Sequence, residues 1–195
     1  MGILAGRCEF KRKQMNYIQT EIDGVWLLEP KVLADARGYF METFKDEEFR
    51  RHVGNVRFVQ DNESRSTFGV LRGLHYQRGE FSQAKLVRVL WGRVLDVAVD
   101  LRRESPTFGR HVSVELSGDN KRQLFIPRGF AHGFLVLSDE AVFIYKVDNA
   151  YAPQAEAAIR YDDPELGIDW PVAENQLLLS DKDRRGVPFR EAECF

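Results

Sequence analysis

A hydrophobic period of two runs through the middle of this chain and limits what it can fold into. In residues 95–101 leucine or valine occupies every second position, with aspartate or alanine between, and residues 112–116 repeat the alternation. Successive side chains of a β-strand point to opposite faces of the sheet. Each of these segments is therefore predicted to be a strand with one buried face.

Turn signals recur at short intervals between such runs. Gly92 separates two apolar segments, and Gly-Asp-Asn at 118–120 separates two more. Helical signals are few: residues 45–52 are predicted to form a short helix, and a turn or two of helix is predicted to follow Ser180. Frequent turns with little helix are typical of an all-β domain.

Other architectures find no support in the sequence. There is no Gly-x-Gly-x-x-Gly sequence and no phosphate-loop pattern, so a dinucleotide-binding fold is not indicated. Internal repeats, low-complexity tracts and linkers are also missing from the sequence. The simplest prediction is an all-β sandwich or jelly roll with a few short helices.

Composition and charge narrow the classes of partner. The 195 residues are 44% hydrophobic and 12% aromatic, which suffices for one sizeable core. With 28 basic and 30 acidic residues the net charge is only −2, so no overall field would recruit nucleic acid or a membrane surface. No apolar run reaches membrane-spanning length. An anionic ligand would need a local basic pocket.

The ends of the chain and its cysteines give the expected organisation. Cys8 and Cys194 have no metal-site or disulfide spacing, which favours a reducing, cytoplasmic location. The apolar run near the start is too short for a cleaved signal peptide and precedes the basic residues. Residues 1–14 are expected to be a mobile extension, with a start-site artefact as the alternative, and residues 15–195 a single domain.

A histidine and a lysine stand out in the strand-like segment 70–88. Histidine is the side chain best suited to move protons near neutral pH, and a nearby ammonium group would stabilise the resulting anion. His75 and Lys85 therefore suggest carbanion or enolate chemistry. Taken alone, a histidine in a strand is more often a structural or surface residue than a catalyst.

Six motifs, in order along the chain, connect these residues to a known family. They are Asp-Ala-Arg-Gly-Tyr-Phe at 35–40 followed by Glu42, Phe-Val-Gln-Asp-Asn at 58–62, Leu-Arg-Gly-Leu-His-Tyr-Gln at 71–77, Gln-Ala-Lys-Leu-Val-Arg at 83–88, Phe-Ile-Pro-Arg-Gly-Phe-Ala-His-Gly-Phe at 125–134 and Asp-Pro-Glu-Leu-Gly-Ile-Asp-Trp-Pro at 163–171. Through them the chain resembles the dTDP-4-dehydrorhamnose 3,5-epimerase family over residues 15–190.

The resemblance implies a cupin-type jelly roll that forms a homodimer and uses neither a metal nor another cofactor. It implies an isomerase that converts dTDP-4-dehydro-6-deoxy-D-glucose to dTDP-4-dehydro-L-rhamnose, in the biosynthesis of dTDP-L-rhamnose. The reaction removes and returns protons on the carbons next to the C4 ketone of the sugar.

The same resemblance suggests the catalytic residues. His75 matches the general base, and Asp183, rather than Asp181, matches the carboxylate that pairs with it. Lys85 matches the lysine that faces the C4 oxygen, and Tyr145 matches the acid on the opposite face of the ring. Inverting a carbon requires a base and an acid on opposite faces, so one residue cannot do both without reorienting.

Further positions match the family's substrate-binding residues. Matches around the diphosphate are Arg37, Gln60 and Arg72, those near the thymine are Phe40 and Glu42, and those toward the diphosphate and sugar are His132 and Tyr151. The planar fork of arginine suits phosphate oxygens. The segment 37–42 is expected to cross to the other subunit, which would make dimerisation part of the site.

One departure from the family pattern bears on substrate choice. Ala150 stands where the first of two adjacent tyrosines is expected before Ala-Pro, so one aromatic wall is predicted to be missing. Related enzymes of this fold invert only C3 or isomerise the keto group. A 3-epimerase or a ketoisomerase therefore remains the alternative.

Two rival classes differ in chemistry. A metal-dependent cupin oxygenase is suggested by Pro-Arg-Gly-Phe-Ala-His at 127–132, but it needs several imidazoles and a carboxylate around one metal. The chain has 4 histidines and no His-x-His pair. A non-catalytic sugar-nucleotide-binding jelly roll is the other rival, and it predicts that His75 could be replaced without consequence.

Overall fold

The computed structural model describes residues 15–195, so the extension expected at residues 1–14 lies outside the described residues. The elements are almost all strands, with one α-helix in this range. They are β1 (Met15–Gln19), β2 (Trp26–Pro30), β3 (Leu33–Asp35), β4 (Gly38–Phe40), α1 (Asp46–His52), β5 (Gln60–Thr67), β6 (Leu71–Gln77), β7 (Lys85–Trp91), β8 (Arg93–Asp100), β9 (His111–Ser117), β10 (Gln123–Ile126), β11 (Phe130–Val136), β12 (Glu140–Val147) and β13 (Glu156–Ala158).

Two antiparallel sheets form the body of the molecule. The six-stranded sheet has the order β1-β2-β10-β7-β12-β5, and the five-stranded sheet has the order β13-β6-β11-β8-β9. Most neighbours within a sheet are distant in sequence, as in a jelly roll. The main apolar cluster includes Val87 and Phe143 of the larger sheet and Ala98 and Phe134 of the smaller one. The prediction of an all-β jelly roll is confirmed.

The turns and helices predicted from the sequence are present. Gly92 joins β7 to β8 with φ of 76°, and a Cβ there would lie 1.9 Å from the Glu140 carbonyl oxygen, so only glycine fits. Helix α1 begins at Asp46, one residue after the predicted start. The predicted turn of helix after Ser180 is a short 3₁₀ helix, Asp183–Arg185.

The strand predicted over residues 95–101 differs from expectation in its burial. It was expected to bury one face, but Asp96, Ala98 and Asp100 are as buried as the valines between them. Val97 and Val99 pack on an outer cluster that includes Ile159, while the alternate positions face the other sheet. The C-terminal third of the chain covers the outer face of β8, and local alternation does not reveal such a cover.

Helix α1 covers the outside of the six-stranded sheet. Its first turn is acidic and its last turn is basic, which complements the helix dipole. Phe49 is fully buried and packs in a cluster with Leu28, Leu86 and Phe125 of that sheet. This second core lies on the opposite face of the sheet from the jelly-roll interior.

Strands β3 and β4 form a hairpin whose residues are all exposed. Tyr39 is 56% exposed and Phe40 is 69% exposed, although both are aromatic. Lys121 donates a hydrogen bond to the Tyr39 hydroxyl at 3.1 Å and lies over its ring. Exposed aromatic side chains on a projecting hairpin are typical of a surface that contacts a partner. Among the helices of residues 15–195, none has the length and apolarity needed to cross a membrane.

Candidate active site

The candidate site lies inside the jelly roll, where inward-facing polar side chains interrupt the apolar core. His75 of β6 pairs in register with His132 of β11. Tyr145 of β12 and Lys85 at the start of β7 belong to the other sheet, and they pair with Val87 and Val147. The two sheets therefore bring four of the predicted residues to one interior.

Asp183 lies against His75, as the spacing in the sequence suggested. Asp183 is 4% exposed, and its Oδ1 is 2.7 Å from His75 Nε2. The distance is that of a hydrogen bond, although the alignment at Nε2 departs from linearity. The Ser180 hydroxyl donates to Asp183 Oδ2 at 2.5 Å, and the Gly73 amide donates to Oδ1 at 3.1 Å.

These contacts decide the charge of Asp183. Burial acts to raise its pKa, but the contacts with His75, the Ser180 hydroxyl and the Gly73 amide outweigh burial and hold the pKa well below its usual range. Asp183 is therefore a carboxylate at neutral pH. A buried carboxylate beside an imidazole stabilises its protonated form.

Backbone pairing fixes the loop that carries Asp183. Leu71 donates its amide to the Leu178 carbonyl at 3.1 Å, and Leu178 donates its own amide to the Gly69 carbonyl at 2.8 Å. The loop thus runs beside the start of β6. Gly73, with φ of 140°, passes so close to β11 that a Cβ would lie 2.5 Å from the Gly133 Cα, so this position requires glycine.

Lys85 is partly buried and carries a shifted pKa. Burial lowers the pKa of Lys85 to about 8, against the opposing effect of the negative charges of Asp96 and Glu156. Lys182 acts in the same direction as burial. The amine is therefore poised between its charged and neutral forms near neutral pH.

His132 is held by a carboxylate that the sequence argument missed. Its Nε2 donates to Asp96 Oδ2 at 2.9 Å. Burial lowers the pKa of His132 although Asp96 acts to raise it, so the imidazole is neutral at pH 7. Asp96 was read as the polar partner in an alternating strand, and only its lack of exposure, 0%, marks it as part of the interior.

Tyr145 faces the interior from the six-stranded sheet and packs on the main apolar cluster. Burial raises its pKa, and the charge of Arg72 acts in the opposite direction. The phenol is therefore protonated at neutral pH and can donate a proton. Because His75 and Tyr145 stand on different sheets, a sugar between them would have one on each side.

Polar residues of β5 and β6 extend the site. Arg72 is exposed and donates through Nε to the buried Ser66 hydroxyl at 3.1 Å, which leaves the outer edge of the guanidinium for a ligand. Gln60 donates to the Asn62 side-chain oxygen at 2.7 Å. Asn62 pairs with Tyr145, and the sequence argument did not single it out although it lies in a quoted motif.

The remaining predicted residues are not brought to this interior. Arg37 and Phe40 are on the exposed hairpin, where Arg37 pairs with Asp35 at 2.6 Å. Glu42 follows that hairpin. Tyr151 is 55% exposed and donates its hydroxyl to Glu156 at 3.0 Å.

Glu156 is a further residue that the sequence argument missed. It lies on β13, pairs in register with Gln77, and forms an ion pair with Lys182. Its negative charge acts to raise the pKa of both Lys85 and Tyr145. No motif in the sequence marked it, because its importance comes from pairing β13 with the strand that carries His75.

Metal-ligating groups and cavities give two further observations. Among residues 15–195 no group of three or more histidine, cysteine, aspartate or glutamate side chains is arranged to hold a metal ion. A cavity of about 350 Å³ is lined by Tyr145 and Asn62, by neighbouring residues of the six-stranded sheet that include Arg88 and Lys146, and by Thr43 and Phe44 after the hairpin. The cavity thus reaches Tyr145, whereas His75 and Lys85 are not among its lining residues.

Comparison with known proteins identifies the family. The family model described as dTDP-4-dehydrorhamnose 3,5-epimerase matches residues 19–191. A dTDP-4-dehydrorhamnose 3,5-epimerase of Shigella flexneri is 56% identical over 182 residues, which are 93% of this chain and 99% of that protein.

Solved structures of similar proteins include two with bound nucleotide sugars. A dTDP-6-deoxy-D-glucose-3,5-epimerase from Legionella pneumophila, in complex with dTDP-4-keto-L-rhamnose, is 53% identical with a TM-score of 0.88, over 92% of this chain and 95% of that one. A 3′-monoepimerase from Streptomyces bikiniensis, in complex with dTDP-quinovose, is 36% identical with a TM-score of 0.83, over 89% of this chain and 87% of that one. By the family match and these identities, the chain belongs to the dTDP-4-dehydrorhamnose 3,5-epimerase family.

Proposed function

We propose that this protein converts dTDP-4-dehydro-6-deoxy-D-glucose to dTDP-4-dehydro-L-rhamnose by inverting C3 and C5. The observation that carries the proposal is that His75, which contacts the buried carboxylate of Asp183, lies on one sheet, and Tyr145 and Lys85 lie on the other. Membership of an epimerase family supports the same reaction. The product serves the biosynthesis of dTDP-L-rhamnose in this proposal.

His75 removes the proton next to the C4 ketone. Asp183 remains a carboxylate, because its contacts hold its pKa well below its usual range. Its negative charge, 2.7 Å from Nε2, favours the imidazolium that forms when His75 accepts the proton. A general base of this kind contributes about 10²- to 10⁴-fold in rate.

Lys85 stabilises the negative charge that develops on the C4 oxygen. An ammonium group in a partly buried site interacts with an oxyanion more strongly than one in water. One good donor of this type contributes roughly 3 kcal/mol to the transition state. Losing either His75 or Lys85 should nearly silence turnover and leave nucleotide binding measurable.

Tyr145 returns a proton from the opposite face of the sugar. It stands on the sheet across from His75, and its raised pKa keeps the phenol protonated. Removal on one face and return on the other inverts the carbon. The same pair can act at C3 and then at C5, because both carbons flank the ketone.

Nucleotide binding involves the outer part of the site and a second protomer. Arg72, Gln60, His132 and Tyr151 contribute from the chain itself, toward the diphosphate and sugar. Arg37, Phe40 and Glu42 contribute from the hairpin segment of the other protomer in a homodimer. The exposure of Phe40, 69%, on the projecting hairpin supports this arrangement.

Inversion of C3 alone is the second candidate. The similar structure described as a 3′-monoepimerase supports it, since the same fold carries that activity at 36% identity. Ala150, in place of an expected tyrosine, is the departure in this chain most relevant to substrate choice. A ketoisomerase is the less favoured form of this alternative.

A cytoplasmic location is part of the proposal. The scarcity of cysteine, 2 in the chain, supports a reducing compartment. Among the described residues Cys194 is a free thiol, which is compatible with that assignment.

Deuterium incorporation tests the proposed reaction. The protein is incubated with dTDP-4-dehydro-6-deoxyglucose in D₂O, and deuterium at C3 and C5 is followed by NMR. His75→Asn is the inactive variant, and His52→Asn, at an exposed histidine on α1, is its matched control. Incorporation at both carbons that His75→Asn abolishes and His52→Asn retains is the expected result.

Other outcomes assign other functions. Deuterium at C3 alone identifies a 3-epimerase. No incorporation at either carbon, with nucleotide binding intact, would leave a sugar-nucleotide-binding protein and contradict the proposal.

A further inference from the structure

Asp96 is a fully buried carboxylate that the proposed mechanism does not use. It lies on β8, is 0% exposed, and accepts from His132 Nε2 at 2.9 Å through Oδ2. Its Oδ1 is buried and has no hydrogen-bond partner among the described residues. Burial of an ionised carboxylate is strongly unfavourable unless nearby positive charge compensates.

Lys85 is a positive group whose pKa is affected by the charge of Asp96. Asp96 is the strongest of the charges that favour the protonated form of Lys85, followed by Glu156 of β13. Lys182, in the loop beside Asp183, opposes them. The pKa of His132, on β11, is raised by the charge of Asp96 and lowered by that of Lys85. The three groups therefore form one electrostatic unit.

His75 completes the set of titratable groups around this unit. His75 acts to lower the pKa of His132. The strand β6, which carries His75, pairs with the strand β11, which carries His132. The groups facing Lys85 and its neighbours thus come from five segments of chain, namely β6, β8, β11, β13 and the loop with Lys182. Among those that favour a charged Lys85, Asp96 is the one with no exposure to solvent.

We propose that Asp96 is a positioning residue, which keeps Lys85 as an ammonium ion at the C4 oxygen and fixes His132 as its Nε2–H tautomer. This inference rests on the proposed function, because it assigns the source of the charge that Lys85 uses there. With Nε2 donating to Asp96, His132 presents an unprotonated Nδ1 that can accept a hydrogen bond from the substrate.

The reason for a buried counter-ion follows from the position of Lys85. Burial favours the neutral amine, and a neutral amine is a poor partner for an oxyanion. The negative charge of Asp96 acts against burial, so removing it must lower the pKa of Lys85 further below about 8. Each unit of that fall reduces the ammonium fraction about tenfold at higher pH.

Asp96→Asn tests the proposal through the pH profile. The alkaline limb of kcat/KM is expected to move to lower pH by about one unit or more, so that the loss of activity is about fivefold or more greater at pH 8 than at pH 6. Asp96→Glu retains the charge and is expected to keep the limb in place although kcat falls. An unchanged limb in Asp96→Asn would overturn the proposal.

Asp100 offers the matched control. It lies on the same strand and is also 0% exposed, but its carboxylate is held by Arg102, Ser105 and Thr107. Asp100→Asn is expected to lower stability without moving the alkaline limb. A similar shift in both variants would show that the limb reports general destabilisation and would contradict the proposal.

Direct titration separates this inference from the proposed activity. In protein labelled with ¹⁵N at the lysine amine, the Lys85 signal is assigned by its loss in Lys85→Arg and followed by NMR against pH. The midpoint of the Lys85 titration is expected to fall in Asp96→Asn and to remain unchanged in Asp100→Asn. A fall in a protein with no epimerase activity would support the electrostatic coupling of Asp96 to Lys85 and reject the function, whereas an unchanged midpoint in an active enzyme would reject only the coupling.

A second variant serves if Asp96→Asn does not fold. The positive charge of Lys85 acts to lower the pKa of His132, so Lys85→Met is expected to raise the His132 midpoint in an imidazole NMR titration. An unmoved His132 midpoint would show that the three groups are not coupled, and it would overturn the proposal.

Discussion

At the scale of single residues, the site depends on a buried carboxylate that stays ionised. Asp183 has a pKa below its unfolded value, so it contributes stability that is present above about pH 4 and is lost as pH falls through the folded pKa. Asp183→Asn should therefore lower the free energy of unfolding at pH 7, and the difference from wild type should disappear in acid. Urea unfolding at a series of pH values measures this. The same variant should lower kcat about 10- to 100-fold, because His75 loses its partner. A constant stability difference down to pH 2 would contradict this.

At the scale of elements, helix α1 stabilises the fold without taking part in the site. Phe49 is buried on the outer face of the six-stranded sheet, whereas His75 and Tyr145 face the interior. Phe49→Ala should cost about 3–5 kcal/mol in the free energy of unfolding and leave kcat within about twofold at a temperature where the variant is folded. Arg50→Ala, on the exposed side of α1, is the control and should change stability by about 0.5 kcal/mol or less. A large loss of kcat in folded Phe49→Ala would show that the two cores are not independent.

At the scale of the whole molecule, the hairpin β3–β4 is proposed to complete the site of the other protomer. Mixing the variants Arg37→Ala/Phe40→Ala and Lys85→Met tests this, because each is expected to be nearly inactive alone. After subunit exchange, a heterodimer would contain one site with intact Lys85 and an intact hairpin from the other chain. About a quarter of all sites should then be active, since about half of the dimers are mixed. No recovery in dimers shown to have exchanged would place the hairpin in its own site.

The sequence predicted the parts of this structure that local patterns and motifs determine. Alternation and turn signals gave the strands, and the motifs gave His75, Lys85, Tyr145 and their order. Local pattern failed at Asp96, because a polar residue in an alternating strand reads as solvent-facing unless the cover on the other face is known. Glu156 was missed for a similar reason, since only the pairing of β13 with β6 brings it near His75.

The central claim is that a base on one sheet and an acid on the other act on opposite faces of the sugar. Tyr145→Phe in D₂O tests it most directly, with deuterium exchange and formation of inverted product measured in the same sample. His75 should still remove and return hydrogen on its own face, because its imidazolium exchanges with solvent. Exchange should therefore persist at C3 or C5 while inversion falls about 10²-fold or more. Exchange and inversion that decline together, or inversion that continues at the wild-type rate, would contradict the account.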